Sequence, residues 1–289
     1  MNELTTSFVQ QIPEEGYQLK MLKVFQLDNS HTQSEGAEAL CWPMRVEHCR
    51  NYQPLVEDEA LFYQFADLGL QPESHEILAF ANQYGWLGNG ESAIEAKSQC
   101  SDVVEVSSNI ITAEFINDWR QQLRSFIPFL ELWQAISGND DAYLRKVIYW
   151  NPDSSSVAYG NPNVSSILIA SMSMNVDLYT TLTPGDVVTP ARVLLTRIIN
   201  QRLREHCYPA LLFNGMSYRD SYLGFRCDNL LGAIWLLFAR SVANNSIHRR
   251  CAECAAPFIP SRSERGRKKR FCTDACKSKN YRKNKKRLH

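Results

Sequence analysis

Four cysteines near one end of the chain have the types and spacing of a metal site: Cys251-Ala-Glu-Cys254, then 17 residues, then Cys272-Thr-Asp-Ala-Cys276. Two close pairs of thiolates meet the needs of a tetrahedral structural zinc ion, because each short loop presents two sulfurs about 2.3 Å from one centre and the intervening chain closes the site. A Cys-x2-Cys pair fits a zinc knuckle, and a Cys-x3-Cys pair fits the first turn of a helix, where residues four apart share a face. Pro257, Phe258 and Ile259, with Arg270 and Phe271, supply the strands of a small hairpin between the pairs. Four thiolates leave no open coordination position, so the metal is structural. Four buried apolar cysteines are the plainer reading, but so polar a segment has almost no core to bury them in. Tetrathiolate sites also hold iron–sulfur clusters; a single basic finger favours zinc.

Cations surround this motif. Arg262, Arg265, Arg267, Lys268, Lys269 and Arg270 lie between the cysteine pairs, and Lys277, Lys279, Arg282, Lys283, Lys285, Lys286 and Arg287 follow the second pair on the expected helix. Charge this dense repels itself unless an anion is present, and neutralising phosphates releases counterions from nucleic acid. Asn280 and Tyr281 sit among the cations, where an amide can read an adenine edge and a ring can stack on a base. Packing under the helix is the simpler role for Tyr281, and a solvated tail the simpler reading of the basic run.

The 289-residue chain has a formal net charge of zero, with 31 Lys/Arg and 31 Asp/Glu, but the average hides a division. Residues 249–289 carry 15 basic and 3 acidic side chains, a charge of +12, which leaves −12 on residues 1–248. An acidic body joined to a basic tail points to nucleic acid or another anionic surface. No apolar segment follows a basic start in Met1–Gly16, and the strictly apolar run Leu230–Ala239 is about half of the roughly 20 residues a spanning helix needs, so the chain reads as cytoplasmic with no membrane partner. Nine cysteines, an odd number, then read as thiols or metal ligands rather than a disulfide framework.

The elements that must carry the site follow from periodicity. Tyr17–Leu27 alternates as a strand, and Asp28–Glu38 reads as a loop. Ala60–Leu68 and Glu73–Tyr84 repeat apolar residues at helical spacing, with Pro72 and Gly85 bounding the second. Thr112 reads as the N-cap of a long helix whose face holds Phe115, Ile116, Trp119, Leu123, Phe126, Ile127 and Leu130, kinked at Pro128 and ended by Gly138. Asn151–Ser165 is the best internal boundary, before a strand at Ser166–Met174. Thr189-Pro190 opens a helix. Asn214-Gly215 reads as a type I′ turn between Pro209–Phe213 and Ser217–Phe225. Asp228 caps a last apolar helix through Val242, ended by Asn244-Asn245. The expected fold class is therefore α+β: a mostly α body over 1–245, with a basic four-cysteine finger over 248–289.

Other candidates are weaker. Gly85–Gly90 lacks the Lys-Ser/Thr of a phosphate loop and reads as a helix end and turn. His75-Glu76 has no second histidine at protease spacing. Cys41 with His48-Cys49, and His206-Cys207 with Cys227, can each be drawn as a second metal site or a thiol–imidazole pair, against the commoner reading of structural cysteines. Trp86, Trp119, Trp133 and Trp235 fit a core. A nuclease with His248, Asn280 and His289 around the finger lacks the Asp-His pair such a site needs.

The pattern Cys251-x2-Cys254, Phe258, Arg270-Phe271-Cys272-x3-Cys276 and a basic helix resembles the CGNR-type zinc finger of bacterial transcriptional regulators over about 40 residues. The name-giving tetrad is here Cys276-Lys277-Ser278-Lys279. That resemblance implies a treble clef that binds DNA in preference to RNA, and a body that senses a small-molecule or protein effector or assembles as a homodimer. The expected function is a zinc-dependent, DNA-binding transcriptional regulator. Its rivals are an RNA-binding or ribosome-associated module, a protein-interaction adaptor whose tail binds an acidic body, and an enzyme with its site in the body.

Overall fold

The computed structural model describes residues 6–22, 37–42, 48–88, 91–94, 110–161, 164–171, 182–213, 221–246, 249–255, 257–258 and 269–286. The chain begins with strands β1 (Thr6–Ser7), β2 (Gln10–Pro13), β3 (Gln18–Leu22), β4 (Ala37–Cys41) and β5 (Cys49–Tyr52). Helices α1 (Pro54–Glu57), α2 (Leu61–Ala66) and α3 (Ser74–Tyr84) precede β6 (Glu91–Ile94) and β7 (Ile110–Phe115). Next come α4 (Ile116–Gly138), α5 (Asp141–Val147), β8 (Ile148–Trp150), β9 (Ser156–Asn161) and β10 (Val164–Ser171). Then α6 (Val188–His206), the hairpin β11 (Cys207–Phe213) and β12 (Ser221–Cys227), and α7 (Leu230–Ala243) complete the body. The segment that follows holds β13 (Arg249–Arg250), β14 (Pro257–Phe258) and α8 (Asp274–Lys286).

The strands form small sheets around the helices, in the orders β3-β4-β7-β6, β10-β9-β8, β1-β12-β11, β2-β5 and β13-β14. The fold is mixed α+β, with more strand than the helical periodicity of the body suggests. At its centre α7 packs against α6 and α2, and α4 against α6. Every residue of α7 from Leu230 to Phe238 is buried, as expected of a helix that is apolar all round and has protein on every side. Phe126 of α4 meets Trp235 and Phe238 of α7 edge-on, with centroids 4.9 and 5.4 Å apart.

Several boundaries differ from the sequence reading for identifiable reasons. Thr112 is not a helix cap: Ile110–Phe115 pairs with β4 and β6, so α4 starts at Ile116 and then runs through Pro128 to Gly138. The start of α6 is held by Asp186, whose Oδ1 accepts the Val188 N–H at 2.9 Å, rather than by Thr189. Asn229, not Asp228, caps α7 by accepting the Gly232 N–H at 2.8 Å. The register Phe213↔Ser221 places seven residues between β11 and β12, which rules out a two-residue turn at Asn214-Gly215. Residues 151–161 hold a turn and β9, and β9 joins β8 and β10 in one sheet. Ala37 and Glu38, expected in a loop, begin β4.

A buried carboxylate organises one side of the core. Glu114 on β7 is 2% exposed and accepts the Leu87 N–H at 2.9 Å, the Trp119 Nε1–H at 3.0 Å and the Gly88 N–H. Gly88 has φ +96°, and an added Cβ would lie 2.2 Å from the Cβ of Asn229, so the turn sits directly on the cap of α7. Replacing Glu114 by alanine strands two buried donors and the partly buried Gly88 N–H and is expected to cost about 3–5 kcal/mol in urea unfolding, with Glu114→Gln costing less because one acceptor oxygen remains.

Candidate metal centre

The tail segment is fixed close to the body by its first residues. Beyond α7, Asn245 adopts a left-handed φ of 48°, and the Ser246 N–H returns to the Ser241 carbonyl at 2.9 Å. Arg250 then forms a two-pronged ion pair with Asp67 at the end of α2, one contact being 2.9 Å. Both partners are partly exposed, so the pair orients the segment more than it stabilises it.

Strands β13 and β14 pair through Arg249↔Phe258 and Arg250↔Pro257, and the first cysteine pair occupies their turn. The hairpin expected between the two cysteine pairs thus forms around the first pair instead. The Ala255 N–H bonds the Cys251 carbonyl at 2.9 Å with Ala255 at φ 59°, which closes a tight knuckle. The Ala252 N–H donates to the Arg270 carbonyl at 2.8 Å and brings the second cysteine segment alongside. Thr273 Oγ1 accepts the Cys276 N–H at 3.2 Å, so α8 starts with Cys276 facing Cys272.

These contacts gather Cys251, Cys254, Cys272 and Cys276 so that all four sulfurs lie within 4.8 Å of one another. Cys254 and Cys272, and Cys272 and Cys276, are each 3.6 Å apart. A tetrahedron with metal–sulfur distances near 2.3 Å has edges of about 3.8 Å, so the four sulfurs fit one structural zinc ion. Burial would raise the Cys251 thiol, but backbone N–H groups of Cys254, Cys272 and Glu253 aimed at its sulfur bring it down to about 6. Cys272 is pushed up to about 12, by burial and by the thiols around it. One sulfur is thus ready to ligate at neutral pH, and the crowding of the others favours a dication that relieves it. Held by four thiolates, such an ion cross-links the segment and offers no open position. Among the described residues no other group of three or more His, Cys, Asp or Glu side chains gathers in this way.

The surrounding charges are arranged less evenly than the sequence suggests. Glu253, inside the knuckle, receives Lys283 Nζ at 2.5 Å, Lys279 Nζ at 3.8 Å and the Asn280 amide at 3.3 Å. The Lys283 ammonium holds its carboxyl below the usual carboxylate range. This carboxylate braces α8 against the knuckle. Lys277 and Arg282 are exposed on the same helix, and Tyr281 is 70% exposed rather than packed beneath it. Lys269 and Arg270 line a cavity of about 310 Å³ together with Arg249 and Arg250. Nothing in the sequence singles out the last two; only the pairing of β13 reveals that they face the second basic segment. Arg262, Arg265, Arg267, Lys268, Arg287, His248, His289 and the side chains of Lys285 and Lys286 lie outside the described residues.

The other sequence candidates separate. His75 is exposed on α3, Cys41 is buried against Ala39 and Ala113, and Cys49 is exposed. Cys207 and Cys227 meet, whereas the His206 ring lies against the Asn229 amide at 3.3 Å. No helix among the described residues is long and apolar enough to cross a membrane. Comparison with protein-family models, with curated proteins and with solved structures finds no match.

Proposed function

We propose that this protein is a zinc-dependent nucleic-acid-binding protein whose C-terminal four-cysteine finger, of treble-clef type, docks on phosphates, with duplex DNA its preferred partner and control of transcription its role. The observation that carries this reading is the clustering of cations on one metal-fixed scaffold. Arg249, Arg250, Lys269 and Arg270 line a single cavity, and Lys277, Arg282 and Tyr281 project from α8. Four cations around one open depression favour an anionic occupant. An exposed aromatic ring among phosphate-binding charges adds a stacking surface that a merely solvated tail does not need. The acidic body repels the same polyanion, which confines docking to the finger.

Binding of zinc-loaded protein to a duplex DNA and to a structured RNA, each at several salt concentrations, tests this. About six phosphate contacts would lower affinity roughly 10³-fold between 50 and 200 mM salt. Preference for structured RNA would replace the DNA reading by an RNA-binding one, and salt-insensitive or absent binding of both would end the nucleic-acid reading. A further result is expected at Glu253. Replacing it by glutamine releases Lys279 and Lys283 from a competing carboxylate, so nucleic-acid affinity should rise severalfold and the salt dependence should steepen. Unchanged affinity would mean that those lysines do not face the nucleic acid.

A further inference from the structure

Cys207 and Cys227 belong to neither the metal centre nor the basic surface. They are opposite each other at the open end of the β11–β12 hairpin, with sulfurs 3.4 Å apart. The Asp228 N–H bonds the His206 carbonyl at 2.9 Å, and the Cys207 N–H is taken by Leu203 at the end of α6. The two cysteines are therefore a non-hydrogen-bonded antiparallel pair, the register position at which side chains approach most closely, with α-carbons about 4.5 Å apart. That separation lies within the range spanned by disulfides. Gly232 of α7 closes over them: an added Cβ would lie 2.7 Å from the His206 carbonyl oxygen and 3.3 Å from the Cys207 sulfur.

Both side chains are buried, yet Cys227 has a route to solvent. It lines a cavity of about 330 Å³ with Phe8, Val9, Tyr208, Arg226 and Asp228, and Val9 and Tyr208 are themselves exposed. Cys207 does not line this cavity, and its sulfur contacts the Gly232 carbonyl at 3.5 Å. A small, uncharged oxidant entering the cavity meets Cys227 first.

We propose that Cys207 and Cys227 form a redox modification site, closed to a disulfide by hydrogen peroxide entering through this cavity. Cys227 sulfur attacks one peroxide oxygen, the O–O bond breaks, and water leaves with the thiol proton. Cys207 sulfur then displaces hydroxide from the resulting sulfenic acid; the S–S bond forms, and the second thiol proton leaves in a second water. Two electrons pass from the two sulfurs to the peroxide. Its close contact with the Cys207 thiol, together with burial, holds the Cys227 thiol far above the ordinary thiol range, so closure is slow and the pair rests reduced. Once closed, the bond fastens the end of α6 to the start of α7, because Cys207 is the last cap of one helix and Cys227 lies two residues before the cap of the other.

The test uses the full, zinc-loaded chain treated with a small excess of hydrogen peroxide, alkylated and cut with trypsin. A linked species of peptides 205–219 and 227–240, abolished by dithiothreitol, is expected, with zinc content followed in parallel. The unfolding temperature should rise by about 5 °C on oxidation, an increase absent from Cys207→Ala and from Cys227→Ala. In Cys207→Ala a dione probe should label Cys227 as sulfenic acid, whereas in Cys227→Ala the Cys207 thiol should persist. Oxidation of Cys227 without linkage to Cys207 in the unsubstituted chain, or its linkage to another cysteine, would overturn the proposal.

Discussion

Cys272→Ser is expected to bring metal content from about one zinc per chain to nearly none, and to unfold residues beyond about 248 while the body stays folded. A serine hydroxyl is not deprotonated at neutral pH, so the site keeps three thiolates and the neighbours of Cys272 lose the charge that binds them. Among the described residues little else holds the segment. Its strands are two residues each, Tyr281 is exposed, and α8 is a 13-residue helix with cations at 277, 279, 282 and 283, too short and too self-repelling to persist alone. Metal binding at such sites contributes about 10–16 kcal/mol, which is then folding free energy. The body does not share that dependence, because its core is built from Trp119, Trp235, Phe126, Phe238 and their neighbours on α4 and α7. Among the described residues the body is linked to the finger by the partly exposed Arg250–Asp67 pair, worth about 0–1 kcal/mol. Elemental analysis, limited proteolysis and the thermal transition of the body measure the three parts separately. Full zinc occupancy in a Cys251→Ser/Cys254→Ser double variant would refute the assignment. Acid works in the same direction as the substitutions: the ligands must be deprotonated, so zinc affinity falls as pH falls, and a chelator should strip the metal faster in mildly acidic buffer than at neutral pH.

The metal centre was legible because its information is local. Four residues of one rare type at knuckle and helix-turn spacing define it, and the fold needs only to bend the chain between them. The same holds for α3, where Glu73 and Glu76 bond reciprocally to each other's backbone and Gly85 takes a left-handed φ of 98°, all within one stretch of sequence. What escaped depends on partners far along the chain. Arg250 finds Asp67 across 183 residues, Cys207 finds Cys227 through a register that no two-residue turn would give, and Ile110–Phe115 forms a strand because β4 and β6 lie on either side. Glu114 escaped for another reason. A carboxylate normally signals a surface, and nothing local announces that two backbone N–H groups and an indole converge on it.

The second large effect is expected from removing charge in the tail. A fragment of residues 1–245 should lose measurable nucleic-acid binding, because with the tail gone the remaining chain is acidic. Within the full chain, glutamine at Arg267, Lys268, Lys269 and Arg270, or at Arg282, Lys283, Lys285 and Lys286, should weaken binding to all sequences alike and lower the salt slope by about one unit for each phosphate left without its cation. The two quartets differ at Lys283. Lys283 already neutralises Glu253, so the second quartet is expected to lower the slope by about three units rather than four, and Arg250→Gln should cost little because its charge is spent on Asp67. Asn280 is divided in the same way. Its amide donates to Glu253, which makes it a brace between helix and knuckle, and Asn280→Ala should weaken binding to a preferred and a scrambled duplex equally. A loss confined to the preferred duplex would instead assign Asn280 to a base edge. No change after neutralising either quartet would leave the tail a solvated appendage and return the search for function to the body.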